Sequence, residues 1–499
     1  MANASLRPLR ESEFGYWQAS HLLTRAGFGG TPDQIRLLAD WGLEKSVRHL
    51  VYFENAPSSP VTSDSFDDSI MAPPSPEERL AYRRALQAQD EATVERFRER
   101  RQEQQRQDRR QIREVQRWWL KRLIESPRPL EEKMTLFFHG HFATSYRKVE
   151  NSYHLFLQNQ TFRKHATGNF ADLCFQIIRD PAMIAYLDNN NSHRRSPNEN
   201  LARELMELFT LGEGVAYSER DIKEGARALT GYTYDYNSFI FREEWHDNEP
   251  KRILGKLGNF NGDDFVRIIL GRPECSVFLC LKLYRFFVND LPNGADRETR
   301  TLIESLAREM RSNKYDLAPT LETLFKSEAF YDEANVAARI KSPAQLAVQA
   351  TRAMRLPIRD LNLVVEALDL MGQNLFFPPS VKGWEGGRSW INTSTLYVRQ
   401  NLLTHLLTGQ MPSGFSASGG RLDLDAMSLL THLERDDRGE YDIDQAVRYL
   451  VKLSFGRDIE ESRMTELMQF TKSHGGRMSN DLVVALLCLM TAMPEYQLC

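Results

Sequence analysis

The hydrophobic residues of this chain recur with the three- to four-residue spacing of amphipathic helices along nearly its whole length. Runs of alternating β-branched residues, which would indicate strands, are scarce. The pattern therefore predicts an all-α, or at least helix-dominated, fold. Thr31 and Pro32 predict one helix start, because a threonine caps the first turn and proline removes a backbone N–H that needs no partner there.

Changes in residue type divide the chain into segments. Residues 1–56 have the pattern of short helices, and residues 57–76 form a loop rich in Pro, Ser and Asp. The hydrophobic pattern is densest over 127–412, which we expect to form the main helical body. The sequence SGFSASGG at 413–420 is typical of a flexible loop, and 421–499 predict a small helical tail.

Residues 77–126 contain no Gly or Pro and are dense in Arg, Gln and Glu. They predict a single charged helix of about 50 residues, roughly 70 Å long. Its apolar residues are sparse, so most of it projects into solvent or pairs with another chain. Oligomerisation through an arm is one hypothesis and RNA binding another. The favoured alternative is a solvated surface with Glu/Arg pairs.

Composition narrows the classes of protein. With 499 residues, 41% hydrophobic residues and a net charge of -4, the chain predicts a globular protein whose overall charge favours neither nucleic acid nor anionic lipid. Five scattered cysteines do not form a disulfide framework. No apolar run approaches the length of a membrane span, and the N-terminus lacks the apolar core of a signal, so a cytoplasmic location is expected.

A histidine pair, His139 and His141, stands in the segment TLFFHGHFATS at 135–145. Gly140 weakens a helix here, and in an extended segment residues two apart point the same way. That geometry would let both imidazoles share one metal ion or one substrate. The pair predicts metal ligation, together with Glu204, or else histidines that only close a hydrogen-bond network.

The segment 188–212 carries the most informative cluster. Ser196, Pro197 and Glu199 fit a capping box, which predicts a helix start and gives Glu199 a structural role. Asp188 lies in the Asn-rich loop before that helix. It would add a carboxylate near the positive N-terminus of the helix, or else cap the turn.

On the helix that follows, Asn200, Glu204 and Glu207 stand at i, i+4 and i+7 beside an apolar face. Two neighbouring carboxylates could bind a metal ion or supply split pKa values for acid/base chemistry. The alternative is that Glu207 pairs with Arg203. We expect Glu204 and Glu207 to be catalytic, and Asn200 and Arg203 to contact substrate. Because carboxylates three apart on one helix lie close together, Asp188 or Asp247 is the alternative catalytic partner, and His246 is a further catalytic candidate.

A second helix is predicted to start at Ser218, with Asp221 in its first turn. Arg227, near its end, could hold an anionic group of the substrate or a carboxylate of the cluster. In the next motif, His246 is a candidate third imidazole. Asp247 could fix its tautomer or act as a ligand.

The segment 376–392, FFPPSVKGWEGGRSWIN, combines prolines, glycines and two tryptophans. Such a loop has a fixed shape, and its indoles are costly to leave in solvent. Trp384 and Trp390 could line a cleft and stack on sugars or other flat ligands, or they could belong to a structural lid. Asn392 and Arg399, which lead into the next helix, are predicted polar contacts to substrate.

Nucleotide-binding, serine-hydrolase and zinc-protease motifs are missing from the sequence, which has no GxGxxG after a strand, no GxxxxGK[ST], no GxSxG and no HExxH.

Several blocks, in this order, resemble the bacterial domain of unknown function 1800 family: HLLTRAGFGGTP (21–32), KMTLFFHGHFATS (133–145), SPNENLARELMELFTLGEG (196–214), DIKEGARALTGY (221–232), HD (246–247), ILG (253–255), KSP (341–343) and MGQNLFFPPSVKGWEGGRSWINTSTLYVR (371–399). The resemblance implies a mostly helical protein without a settled activity. It also implies an extracytoplasmic location, and a partner of the sulfatase-like domain of unknown function 1501 family, hence work on extracellular polymers.

These observations lead to a hydrolase hypothesis. Clustered carboxylates beside aromatic platforms suit cleavage of a glycan or related polymer, with one Glu as general acid and another carboxylate as base or nucleophile. The first alternative is an enzyme that uses iron, manganese or zinc held by histidines and Glu204. The second is a non-enzymatic scaffold that uses the 77–126 helix.

Overall fold

Helices account for 63% of the chain, which confirms the helix-dominated fold that the hydrophobic spacing predicts. The computed structural model describes residues 5–62, 66–214, 217–357, 360–410 and 424–499. The predicted loop at 413–420 lies outside these ranges. The predicted cap at Thr31 is confirmed, since its hydroxyl accepts a hydrogen bond from the Gln34 N–H at 3.3 Å.

The N-terminal half of the chain forms a series of helices that ends at two β-hairpins. In chain order these helices are α1 (Tyr16–Ala26), α2 (Pro32–Val51), α3 (Pro76–Gln87), α4 (Glu91–Glu125), α5 (Pro129–His141), α6 (Tyr146–Val149), α7 (Ser152–Lys164), α8 (Phe170–Ile177), α9 (Pro181–Tyr186), α10 (Asn200–Glu204) and α11 (Glu219–Ala228). A π-helical segment, Leu205–Thr210, continues α10.

The sheet content is limited, within the described residues, to two antiparallel hairpins. Strands β1 (Tyr232–Asp235) and β2 (Ser238–Phe241) form one, and β3 (Lys251–Ile253) and β4 (Lys256–Gly258) form the other.

The remaining chain is helical again. Its elements are α12 (Gly262–Leu270), α13 (Pro273–Phe287), α14 (Arg297–Ser312), α15 (Leu317–Lys326), α16 (Glu328–Tyr331), α17 (Pro343–Ala353), α18 (Leu361–Leu370), α19 (Thr393–Thr408), α20 (Ile443–Phe455), α21 (Glu461–Ser473) and α22 (Asn480–Ala492). None of the helices in the described ranges is both long and apolar enough to cross a bilayer.

The segment 77–126 forms two helices instead of the single helix expected from its composition. The chain reverses after α3 at Gln89, which has a φ of +53°, and Asp90 caps α4 by accepting the Thr93 N–H. Tyr82 of α3 packs against Phe97 of α4. Helix propensity alone does not stop a helix here, but folding back buries Ala85 and Val94, which a straight rod would expose, although Leu80 and Leu86 stay exposed. Oligomerisation through this hairpin stays a prediction.

Two hydrophobic cores share α5 and α7. The first core gathers α1, α2 and the helices from α8 to α16, and the second gathers the C-terminal half of α4 with α17 to α22. Helix α5 contributes Phe138 to the first core and Leu136 to the second. It therefore runs along the junction of the two cores, which is also where the candidate site lies.

A buried ion cluster fixes α5 to its neighbours. Glu132 is fully buried, and its carboxylate accepts hydrogen bonds from Arg122 of α4 at 2.8 Å and from Arg163 of α7 at 2.8 and 3.0 Å. The indole of Trp119 donates a further bond at 3.1 Å. Burial raises the pKa of Glu132, but the two guanidinium groups lower it more, so the net pKa shift is downward and the carboxylate stays charged.

Replacing Glu132→Gln should lower the free energy of unfolding by about 3–5 kcal/mol, because it leaves the buried Arg163 guanidinium without its counterion and leaves Arg122 with only Glu131, at 3.6 Å. A urea titration followed by tryptophan fluorescence measures the loss. Glu114→Gln is the matched control, since its exposed carboxylate lies 4.0 Å from Arg117, and it should cost less than about 0.5 kcal/mol. Equal losses for the two variants would contradict the central role of the cluster.

The buried carboxyl of Asp180 should make the stability of the protein depend on pH. It caps α9 by accepting the Met183 N–H at 2.7 Å, and burial raises its pKa to about 7. The folded state therefore holds this proton more tightly than the unfolded state, so its contribution to stability is full below about pH 4 and is lost as the pH rises toward 7. Asp180→Asn keeps the cap oxygen and removes the titration.

The melting temperature of the Asp180→Asn variant, relative to wild type, should rise between pH 5 and pH 8. Asp172→Asn, on the exposed side of α8, serves as the control and should show a flat difference. A flat difference for Asp180→Asn as well would show that Asp180 does not titrate on unfolding.

Candidate functional site

The HGH segment is the last turn of α5, not the extended segment expected from Gly140. Residues two apart on a helix point in directions about 200° apart, so His139 and His141 diverge and do not share one ligand. His139 accepts the Phe376 N–H at Nε2 over 3.0 Å, with the rings of Trp119 and Trp384 beside it. Burial lowers its pKa to about 3, so the ring is neutral. Its role is to hold Phe376 in a left-handed conformation, with a φ of +66°.

His141 faces a cavity on the other side of α5. Its Nε2–H donates to the Phe209 carbonyl at 2.9 Å, which leaves Nδ1 as a buried acceptor with no partner among the described residues. Burial, followed by the field of Lys282, lowers its pKa to about 3. Phe209 belongs to the π-helical segment, a rare conformation that often marks functional sites.

The proposed metal set is not assembled. Within the described ranges, no three His, Cys, Asp or Glu side chains are grouped so that they could hold a metal ion, and these ranges include His139, His141 and Glu204. The geometry of these residues therefore gives no support to the metal-dependent alternative.

The predicted capping box at Ser196 is wrong. Ser196 pairs with His193 in a β-bridge, and the side chain of Asn198 accepts the Asn200 N–H at 2.9 Å, so α10 begins at Asn200. The amide side chain competes with the serine for the same role. Glu199 instead pairs with Arg203 at 3.2 Å.

Arg203 is the centre of an ion-pair group on α10. It contacts Glu207 at 3.5 Å and Glu219 of α11 at 2.9 Å. Glu204 is half-buried, and burial followed by the charge of Glu207 raises its pKa. Lys382 lies in the field of both carboxylates and pairs with Glu213 at 2.5 Å. Asn200 is exposed at the start of the same helix.

Asp188 does not join this pair of carboxylates directly. It adopts a left-handed conformation with a φ of +58°, and its half-exposed carboxylate pairs with Lys148 at 2.6 Å. The Lys148 ammonium lies 5.7 Å from the ring of Tyr186, whose pKa is raised by burial and then by Glu204.

His246 and Asp247 belong to a separate hydrogen-bonded cluster with a structural role. Arg227 holds Asp247 through two bonds of 2.7 and 3.0 Å, as the sequence allowed. Asp247 does not set the tautomer of His246, because His246 donates from Nδ1 to the Thr230 carbonyl at 2.9 Å. Arg227 lies at the opposite end of α11 from Glu219, about 12 Å along the helix axis. Because Glu219 and Glu207 both pair with Arg203, the His246–Asp247 cluster is remote from Glu207.

Two predicted substrate contacts are structural. Arg399 is fully buried and donates to the Lys341 carbonyl at 2.9 Å and to Gln497 at 3.2 Å. Asn392 caps α19 by accepting the Thr395 N–H at 2.9 Å. Both side chains already have hydrogen-bond partners within the protein, so neither is placed to contact a substrate.

The tryptophan loop packs directly on α5. Gly383 has a φ of +75°, and a Cβ at this position would lie 2.2 Å from the carbonyl oxygen of Gly140. Only glycine fits such an approach. The contact places the Trp384 ring 5.4 Å from that of His139 and leaves the indole N–H buried without a partner among the described residues.

A cavity of about 520 Å³ opens beneath this loop, and both Trp384 and Trp390 line it. His141 and Gly140 form part of its α5 wall. Cationic side chains outnumber acidic ones in the lining by seven to two: Arg25, Lys133, Lys282, Arg285, Arg339, Lys382 and Arg388 against Asp290 and Glu385. Asp290 is paired with Arg339 at 2.8 Å. The cavity is therefore strongly basic.

Most of these cations are missing from the sequence prediction. They come from α1, α5, α13 and the segments around 339 and 388, and no local motif joins them. The sequence signal that could have found them is membership of the blocks quoted above, which contain Arg25, Lys133, Lys382 and Arg388.

The fold and the site together define a helix-dominated protein with a basic, tryptophan-lined cavity. The family model described as Protein of unknown function (DUF1800) matches residues 21–498. The chain therefore belongs to this family, as the sequence blocks indicated. Searches of the curated proteins and of the solved structures gave no match.

The Gly383 contact can be tested by Gly383→Ala. A left-handed conformation costs an alanine about 1–2 kcal/mol, and the collision with Gly140 should add to that cost and displace Trp384. Gly439→Ala is the matched control, because Gly439 has a φ of +76° with open space around it. Thermal unfolding should show a larger loss for Gly383→Ala, and losses of equal size would exclude a tight contact.

Proposed function

We propose that this chain is a hydrolase that acts on an acidic glycan, or a related anionic polymer, and holds one anionic unit in the basic cavity. The observation that carries this proposal is the excess of basic over acidic side chains around two indoles, which remains six to two when Lys133 is neutral. Clustered Lys and Arg side chains favour carboxylate, sulfate or phosphate groups, and indole faces stack on sugar rings.

The carboxylates for bond cleavage lie just beyond the cavity. Glu204 and Glu207 do not line it, but Lys382 does, and Lys382 also lies in the field of both carboxylates. A polymer that extends from the cavity past Lys382 therefore reaches this pair. The substrate must be longer than the unit that fills the cavity.

The two carboxylates have different surroundings, as a pair of catalytic acids requires. The raised pKa of Glu204 suits a general acid, and the Arg203 contact suits Glu207 to act as a carboxylate nucleophile or base.

Binding is tested by calorimetry with oligogalacturonate, a sulfated heparin oligosaccharide and a neutral cello-oligosaccharide of similar length. At least one acidic ligand should bind about tenfold or more tightly than the neutral one, and its affinity should fall with added salt. Arg388→Gln should weaken that binding about tenfold, whereas Arg438→Gln, an exposed arginine outside the cavity, should not. Equal affinity for acidic and neutral ligands would refute the proposal.

Cleavage is tested by the release of reducing ends from the acidic ligand that binds. Glu204→Gln should abolish release and leave binding intact, while Glu199→Gln, which also removes a partner of Arg203, should retain both. Undiminished release by Glu204→Gln would remove Glu204 from the mechanism.

A further inference from the structure

Lys133 is a buried amine on the wall of the cavity. It follows Glu132 on α5, and its side chain points away from the ion cluster and toward the cavity. The Nζ atom donates a hydrogen bond to the side-chain oxygen of Gln345 and lies 4.7 Å from the ring of Phe28 and 5.5 Å from that of Phe286. Among the described residues no carboxylate pairs with it.

The surroundings of Lys133 favour the neutral amine. Burial lowers its pKa most, the neighbouring Arg339 and Arg25 lower it further, Cys499 opposes them, and the result is a pKa of about 7. An unpaired ammonium is costly to bury, whereas a neutral amine needs only the hydrogen bond to Gln345. At neutral pH a large share of Lys133 therefore carries a free electron pair.

We propose that Lys133 is a nucleophile that forms an imine with the carbonyl group of a small anionic aldehyde or ketone bound in the cavity. The electron pair of Nζ attacks the carbonyl carbon, and a proton moves from nitrogen to the former carbonyl oxygen to give a carbinolamine. Loss of the hydroxyl group and the second nitrogen proton as water then forms the C=N bond. No oxidant or reductant is needed.

Other groups on the same wall suit this ligand. Lys282, Arg285 and Arg388 line the same cavity and can hold a carboxylate of the ligand. Arg25 and Arg339 already donate to backbone carbonyls and to Asp290, so they contribute only their charge. Trp384 supplies a buried N–H and His141 a buried acceptor, each without a partner among the described residues. An open-chain acidic sugar belongs to this class of ligand.

This chemistry rests on the anion-binding cavity of the proposed function, but not on hydrolysis by Glu204. It uses a different atom of the protein and a different group of the ligand, so the two proposals can fail separately.

Reductive trapping with glyoxylate, the smallest anionic aldehyde acid, is the test. The full chain is incubated with glyoxylate and cyanoborohydride, and peptide mass spectrometry measures carboxymethylation of each lysine. At pH 7, Lys133 should react at least tenfold faster than Lys121, an exposed lysine on α4. Its rate should level off above about pH 8, whereas exposed lysines keep gaining free amine up to about pH 10.

Two variants at Gln345 test whether the reactivity of Lys133 depends on the charge state of its amine. Gln345→Glu places a carboxylate opposite Nζ, which stabilises the ammonium form, so trapping at pH 7 should fall at least tenfold. Gln345→Met removes the acceptor without adding charge and should keep Lys133 reactive. Circular dichroism and thermal unfolding verify that both variants fold, and Lys133→Arg confirms the site of labelling.

Two results would overturn the inference: labelling of Lys133 no faster than that of Lys121 in the folded chain, or equal labelling in the two Gln345 variants. Binding of oligogalacturonate without trapping would overturn only the imine, and trapping without binding of any acidic oligosaccharide would overturn only the glycan proposal.

Discussion

The paired burial of Glu132 is the constraint on which the arrangement of this protein depends. Its carboxylate receives donors from α4 and α7, and the charge can remain inside the protein only because those donors come from both neighbours at once. This fixes the position and rotation of α5. Lys133 is the next residue on that helix, about 100° further around it, and is thereby directed to the cavity.

Helix α5 thus buries two neighbouring ionisable groups, and burial affects their charge states differently. Glu132 meets two guanidinium groups and remains an ion, while Lys133 meets one amide oxygen and lies in the field of other cations, and burial lowers its pKa to about 7. Burial is similar in the two cases, and the partners decide the charge state. The contrast separates a group that stabilises the fold from a group available for chemistry.

A second constraint holds the tryptophan loop against α5. The contact between Gly140 and Gly383 permits the backbones to touch, and His139 accepts the N–H of Phe376 at the start of the loop. The motif HGH is therefore explained by packing at His139 and Gly140 and by cavity lining at His141. These three residues serve different purposes, although they stand together in the sequence.

Features that depend on residues a few positions apart can be predicted without the structure. The helical content, the cap at Thr31 and the capping box at Ser218 follow from local spacing and local hydrogen bonds. The local pattern is misleading at Ser196, where Asn198 instead accepts the first N–H of α10, and at Gly140, where packing overrides low helix propensity. Which side chains meet depends instead on tertiary packing. Arg399 and Asn392 have their partners within the protein, and Arg25, Lys133 and Arg339 converge on one cavity because the two hydrophobic cores meet along α5 and bring distant parts of the chain together.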